Sequence, residues 1–225
     1  MNERQIIHTI ERLLQVRQLK WLFFVILSII WVTCQNNGNG FEGPLTDPRD
    51  GQVYQTVAIG SQIWMAENLN YRPDSGSWYY NDDSVSNAAI YGRLYNWSTA
   101  MTVAPPGWHL PTDAEWNTLT DFIGSDTTMI AAQLLDTTHW DVRVDATNET
   151  GFSARPGGDR YWQTGVFYSI GASAYFWTAT TGDSTHQAYD RDLDTWNGVG
   201  DDPYTHVHRH SYNKIDGFSI RCVKD

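Results

Sequence analysis

Cysteine is nearly absent from this sequence. Two residues in 225, Cys34 and Cys222, cannot build the disulfide framework of a small secreted scaffold. Charge is sparse and mostly of one sign: 26 acids oppose 15 bases, for a net charge of −11. The body of the chain has no Lys/Arg run, which argues against nucleic acid as a partner. Internal repeats are missing, and long apolar helical runs are few. Aromatic rings are abundant instead: 11 tryptophans, 12 tyrosines and 8 phenylalanines, with 18 glycines to turn the chain between them. A chain of this length encloses one sizeable core or two small ones, and such rings can fill it.

The first forty residues are a different material. Trp21–Thr33, "WLFFVILSIIWVT", is apolar throughout apart from small residues and follows Arg12, Arg17 and Lys20. A membrane-crossing helix needs about 20 apolar residues. This shorter run with its basic flank has the form of a signal-peptide hydrophobic region, so residues 1–33 are read as a signal peptide. Cys34 sits at its border, before the polar "QNNGNG", as the lipidated cysteine of a bacterial lipoprotein does. Thr33 and Trp31 depart from that pattern, where Gly, Ala or Ser and then Leu are usual. An uncleaved anchor and ordinary secretion are the alternatives. Residues 34–48 read as a flexible tether and 49–225 as the domain. The expected location is the outer membrane or cell surface of a bacterium, with the lipid anchor as the membrane contact.

Along the domain, Val53, Thr56–Val57 and Ile59 suggest one strand, Gly60-Ser61 a turn and Ile63–Met65 a second strand. "YNDDSVSN" reads as a loop. Leu94, Trp97 and Met101 recur at helical spacing in "YGRLYNWSTAM". In "GWHLPTDAEWNTLTDFIG", Thr112 and Glu115 form a capping box. Trp116, Leu119, Thr120 and Ile123 make an inward stripe, and Gly124 is placed for a left-handed stop. His109 just before this helix reads as a hydrogen-bonded packing residue. A weaker helix is expected over Met129–Leu135, then short strands in "GFSARPGG", "YFWTATTG" and "DGFSIRCV". The fold class is α+β, with two main helices, short mostly antiparallel strands, long loops, and strands from both ends meeting in one sheet.

Six segments in fixed order carry a family resemblance: "DGQVYQTVAIGSQIWMAENLNY", "YGRLYNWSTAM", "PPGWHLPTDAEWNTL", "GFSARPGG", "YFWTAT" and "GFSIRCVKD". Together they resemble the Fibrobacter succinogenes major paralogous domain, a bacterial cell-surface domain, from about Asp50 to Asp225. That family is similar in turn to the formylglycine-generating (sulfatase-modifying) enzymes through "LPTDAEW". The resemblance implies a C-type-lectin-like fold and export or lipid anchoring. It also implies a cysteine before "GWH" that bridges to the cysteine of "RCV". Here that place is "APPGWH", so Cys222 lacks the partner, and a buried inert thiol is expected.

Candidate chemistry is limited. Formylglycine-type oxidation uses a pair of copper-binding cysteines, and one cysteine remains after export, so the protein is read as not an enzyme. "HVHRH" holds His206, His208 and His210. On a strand, alternate residues share a face, where a pair could chelate zinc or copper; a polar outward face is the competing reading. "DRDLDTWNGVGD" places Asp190, Asp192, Asp194 and Asp201 like the start of a calcium loop. Thr195 stands where its turn glycine belongs, and Asp201 where a bidentate glutamate is usual. The simpler account is a strand with its acids on one outward face, protecting an edge. No cofactor is expected, with calcium at these acids as the one alternative kept. The sugar-binding triplets of calcium-dependent lectins are absent. Trp78, Tyr80, Trp162 and Trp196 lie in loop-like surroundings where rings could stack on sugars, or could be core. Trp64, Trp97, Trp108, Trp116 and Trp177 are expected in the core. The expected function is a surface-displayed, non-catalytic binding or adhesion module for a polysaccharide or a cell-surface protein. A structural envelope component with no small ligand is the alternative.

Overall fold

Glycines and β-branched residues at the start of the domain produce short strands. In the computed structural model, which describes residues 39–124, 127–141, 146–194 and 207–225, strand pairing begins at Asn39. β1 (Asn39–Phe41) pairs with β4 (Thr56–Ile59), and β2 (Leu45–Thr46) pairs with β3 (Val53–Tyr54). The tether expected over residues 34–48 therefore does not reach past residue 38: backbone pairing and the buried Asp47, held by Arg49, tie the later residues down. Residues 1–33 and Cys34 lie outside the described residues.

β4 and β5 (Gln62–Met65) form the expected hairpin, turned at Gly60 with φ of 61°. Two expectations fail in the next segment. "YNDDSVSN" is not simply a loop, because Asp83 accepts from the amides of Val85 and Ser86 and starts α1 (Ser84–Tyr91). "YGRLYNWSTAM" is not one helix. Gly92, at φ of 66° with the carbonyl of Leu69 2.7 Å from where a Cβ would sit, stops α1. Leu94 falls on β7 (Leu94–Tyr95), which pairs with β6 (Ser77–Trp78), and Asn96 caps the short α2 (Trp97–Ala100). Met101 is left 44% exposed.

After β8 (Trp108–His109) comes α3 (Asp113–Ile123), with both halves of the capping box in place. Thr112 Oγ1 accepts from the amide of Glu115 at 3.2 Å, and the Glu115 carboxylate accepts from the amide of Thr112 at 2.7 Å. Gly124 ends the helix at φ 148°, ψ −176°, an extended positive-φ shape rather than the compact left-handed one expected. α4 (Thr127–Leu134) follows, close to its expected place. Four α-helices are thus present among the described residues.

The second half is sheet: β9 (Gly157–Arg160), β10 (Phe167–Ile170), β11 (Ser173–Thr181), β12 (Gln187–Asp194), β13 (Val207–His208), β14 (Ser211–Asn213) and β15 (Val223–Lys224). "GFSARP" is irregular apart from a bridge between Ala154 and Leu135. One sheet has the order β1-β4-β5-β15-β8, so strands from both ends of the domain meet in it, as expected. A six-stranded sheet runs β10-β9-β11-β12-β13, with β14 also on β12. The class is α+β, and among the described residues the named strands pair antiparallel except β9 with β11.

Each of the two large sheets contributes side chains to two cores. Trp64, Trp116, Phe152, Phe176 and Leu193 share one core, while Met65, Tyr95, Trp177, Phe218 and Ile220 share another. Trp64, Trp116 and Trp177 are fully buried; Trp97 and Trp108 pack at the margin of the second core. His109 is a packing residue in its contacts: Nε2 lies 2.8 Å from Glu115 Oε1 and Nδ1 2.6 Å from Asp225 Oδ1. Burial opposes its charge, but the two carboxylates outweigh burial and raise its pKa.

Candidate functional site

The turn from β9 to β10 begins with two large rings in succession, Tyr161 and Trp162. The Tyr161 amide donates to the Val166 carbonyl at 2.9 Å, and the Gly165 amide donates back to the Tyr161 carbonyl at 2.8 Å. Gly165 takes φ of 71°, and a Cβ there would meet the Arg160 guanidinium at 2.7 Å. This tight closure leaves Tyr161 36% and Trp162 37% exposed, with ring centroids 6.5 Å apart. Tyr168 on β10 is 47% exposed.

Trp78 and Tyr80 come to the same hairpin by its other side chains. Arg160 lies over the Trp78 ring at 4.2 Å and over Phe167 at 5.8 Å, and Tyr80 packs on Phe167 at 5.4 Å. Trp78 is therefore half-buried, with Arg160 already on its face. Of the three expected rings within the described residues, Trp162 alone is presented to solvent; Trp196 lies outside them. Tyr168 was missed by sequence reasoning, although its place just after Gly165 in "RYWQTGVFY" is a hairpin signal.

Two carboxylates sit beneath the turn. Asp216 is buried and accepts from the Trp162 amide at 2.9 Å. Burial raises its pKa against the donors that hold it. Asp159 is pushed up to about 7, first by burial and then by the charge of Asp216, against a hydrogen bond from Ser169. The ordinary value is 3.8, so between about pH 4 and 7 the folded chain keeps a proton that the unfolded chain has released. Stability contributed by this group is present below that window and falls as pH rises through it. Replacing Asp159 by Asn is expected to flatten the pH dependence of stability between pH 4 and 7 and to raise Tm at pH 8 by several degrees. Calorimetry across that range checks it; an unchanged slope would mean that Asp159 is ionised throughout.

A third group lies on β12. Asp190, Asp192 and Asp194 share a face, as the alternation predicts, but it is not an outward face and β12 is not an edge. The strand is flanked by β11 on one side and by β13 and β14 on the other. Asp190 is 0% and Asp192 2% exposed. Between β13 and β14 the ladder opens at Arg209–His210. There the His210 amide donates to Asp190 Oδ1 at 3.1 Å, and His210 Nδ1 lies 2.9 Å from Asp192 Oδ1. One ligand atom from each of Asp190, Asp192 and His210 falls within 4.8 Å of the others. His208 stacks on His210 at 5.6 Å, so the expected sharing of a face by alternate histidines is seen for this pair. Burial first, then mutual repulsion, raises the pKa of Asp190; burial raises that of Asp192. Asp194 stands at the strand end, opposite Ser173, while Asp190 and Asp192 converge on His210 across a strand gap. Asp201 and His206 lie outside the described residues.

The comparison with family models matches residues 57–224 to the Fibrobacter succinogenes major domain. The chain belongs to that family. Neither the curated proteins nor the solved structures compared with it give a match. Within this Fibrobacter succinogenes major domain fall the aromatic hairpin, the Asp159–Asp216 pair, the Asp190–Asp192–His210 group and Cys222. Cys222 is a fully buried thiol whose pKa burial pushes up to about 12. A groove of about 380 Å³, lined by Gln55, Thr56, Ala66, Glu149 and Ser153 among others, opens elsewhere on the domain and shares no residue with these groups.

Proposed function

We propose that this protein is a non-catalytic binding module displayed at the bacterial cell surface, with polysaccharide as its ligand. It is exported by residues 1–33 and held to the membrane by lipid on Cys34. The observation that carries this reading is the solvent-facing Tyr161–Trp162 pair, locked by a short turn whose Trp162 amide the buried Asp216 holds, with the exposed Tyr168 on the adjoining β10. Such rings cover the apolar faces of sugars at low entropic cost, and the Asp216 bond to the Trp162 amide fixes the turn that presents them. The absence of catalysis is inferred from Cys222: a deeply buried, protonated thiol is the opposite of the exposed thiolate that copper oxidation chemistry needs. A C-type-lectin-like fold is likewise proposed. The strand β15 inserted between β5 and β8, beside the capped helix α3, supports it.

Retention of the Asn39–Asp225 domain on soluble and insoluble polysaccharides, with calcium and then with chelator, is the test. Replacing both Tyr161 and Trp162 by Ala is expected to weaken retention about tenfold or more while leaving Tm nearly unchanged. Trp78→Ala is expected to lower Tm instead, because its ring packs under Arg160. No retention on any polysaccharide would sink the glycan reading and leave protein adhesion or an envelope scaffold.

A further inference from the structure

We propose that Asp190, Asp192 and His210 form a binding site for a divalent transition-metal ion of the zinc class. Their ligand atoms converge within 4.8 Å, the spread that one small ion can bridge. Asp190 supplies an independent sign. It is fully buried, and while its Oδ1 accepts from the His210 amide, its Oδ2 is buried with no hydrogen-bond partner. A buried carboxylate oxygen left unmet is costly unless a proton or a cation meets it.

The neighbouring arginines do not supply that cation. Arg191, alternating to the other side of β12, and Arg209, in the gap between β13 and β14, both hold the Asp113 carboxylate at 2.6–2.9 Å. One divalent ion with two carboxylates and a neutral imidazole is a neutral assembly, which suits a buried place. The imidazole and the small donor set favour zinc over calcium, which takes six to eight oxygens. His210 is itself half-exposed, so the ion would have a path from solvent, and His208 stands beside it. Bound there, the ion would clamp β12 to the returning chain where the ladder opens between β13 and β14. This site is independent of the aromatic hairpin and of the glycan reading.

The untagged full-length chain, stripped with chelator and dialysed, is titrated with Zn²⁺ alone while stoichiometry and Tm are followed. Expected are one tightly held zinc per chain, a higher Tm with zinc, and visible absorption bands when Co²⁺ replaces it. His210→Ala, a half-exposed change that should fold, is expected to weaken zinc binding at least about tenfold and abolish the Tm shift. Asp190→Asn is expected to weaken binding as much while leaving the metal-free Tm equal or higher. The exposed His186→Ala is the control and should bind as the parent does. Zinc binding undiminished in both His210→Ala and Asp190→Asn would overturn the proposal, as would calcium binding that zinc does not displace. So would a parent Tm indifferent to zinc with Asp190→Asn stabilising, the signature of an Asp190 that simply carries a proton.

Discussion

Replacing Arg221 by leucine is expected to lower Tm by about 10 °C and to leave a smaller folded fraction at 37 °C. The guanidinium is fully buried, and it donates to Asn68 Oδ1 at 2.7 Å, to the carbonyls of Met65 at 3.2 Å and Ser153 at 2.6 Å, and to the Phe152 carbonyl. The rings of Phe152 and Phe176 lie 4.7 and 5.6 Å from it. Burial and then the nearby Arg155 push its pKa down to about 9, so it is still charged at neutral pH. Burying that charge is unfavourable in itself, which offsets part of what the mutation loses. Yet leucine would strand four acceptors in the interior at about 1–3 kcal/mol each. The acceptors win, and a net loss of about 3–5 kcal/mol is a large part of a domain's usual 5–15 kcal/mol. At about 2–4 °C per kcal/mol for a chain of this size, that gives the stated shift. Arg221→Lys should fall between, because one ammonium cannot reproduce the planar fork. Thermal unfolding followed by circular dichroism decides it; a leucine variant melting within two or three degrees of the parent would mean that the acceptors find other donors.

Trp116→Ala is the second large effect, a loss of about 3–5 kcal/mol read as a lower urea midpoint. This ring is fully buried in α3 and packs on Trp64, Phe152 and Phe176 with centroids 5.1, 5.5 and 5.7 Å away. Removing it opens a cavity between α3 and both sheets. The indole also carries a buried N–H with no partner. Trp116→Phe deletes that orphaned donor along with part of the ring and should cost less than half as much. Equal losses for the two variants would show that the N–H contributes more than its geometry implies.

These two residues differ in how readable they were. Trp116 lies on a helix whose cap, charge and apolar stripe are all local, so its inward face follows from spacing alone. The β4–β5 hairpin was legible for the same reason. Arg221 was not, because its acceptors lie at residues 65, 68, 152 and 153, and nothing near "IRCV" marks them. Asp190 and Asp192 were half legible. Alternation puts them on one face, but turning that face outward on polarity alone assumes a strand with a wet side. β12 has none: Leu193 enters one core and Ala188 the other. The same limit applies at the aromatic hairpin, where Trp78 and Trp162 look alike in sequence until Arg160 covers one of them.

The place of β15 has a consequence for how this domain is made. It is the last strand in sequence order, yet it occupies an interior slot between β5 and β8. On a translating ribosome the earlier strands emerge first, and until residues 217–224 follow, β5 and β8 stand as unsatisfied edges around an empty lane. Acquisition of the native sheet thus waits until residues 217–224 have emerged. A nascent domain lacking only its last few residues is an open, aggregation-prone intermediate rather than a slightly shortened native one.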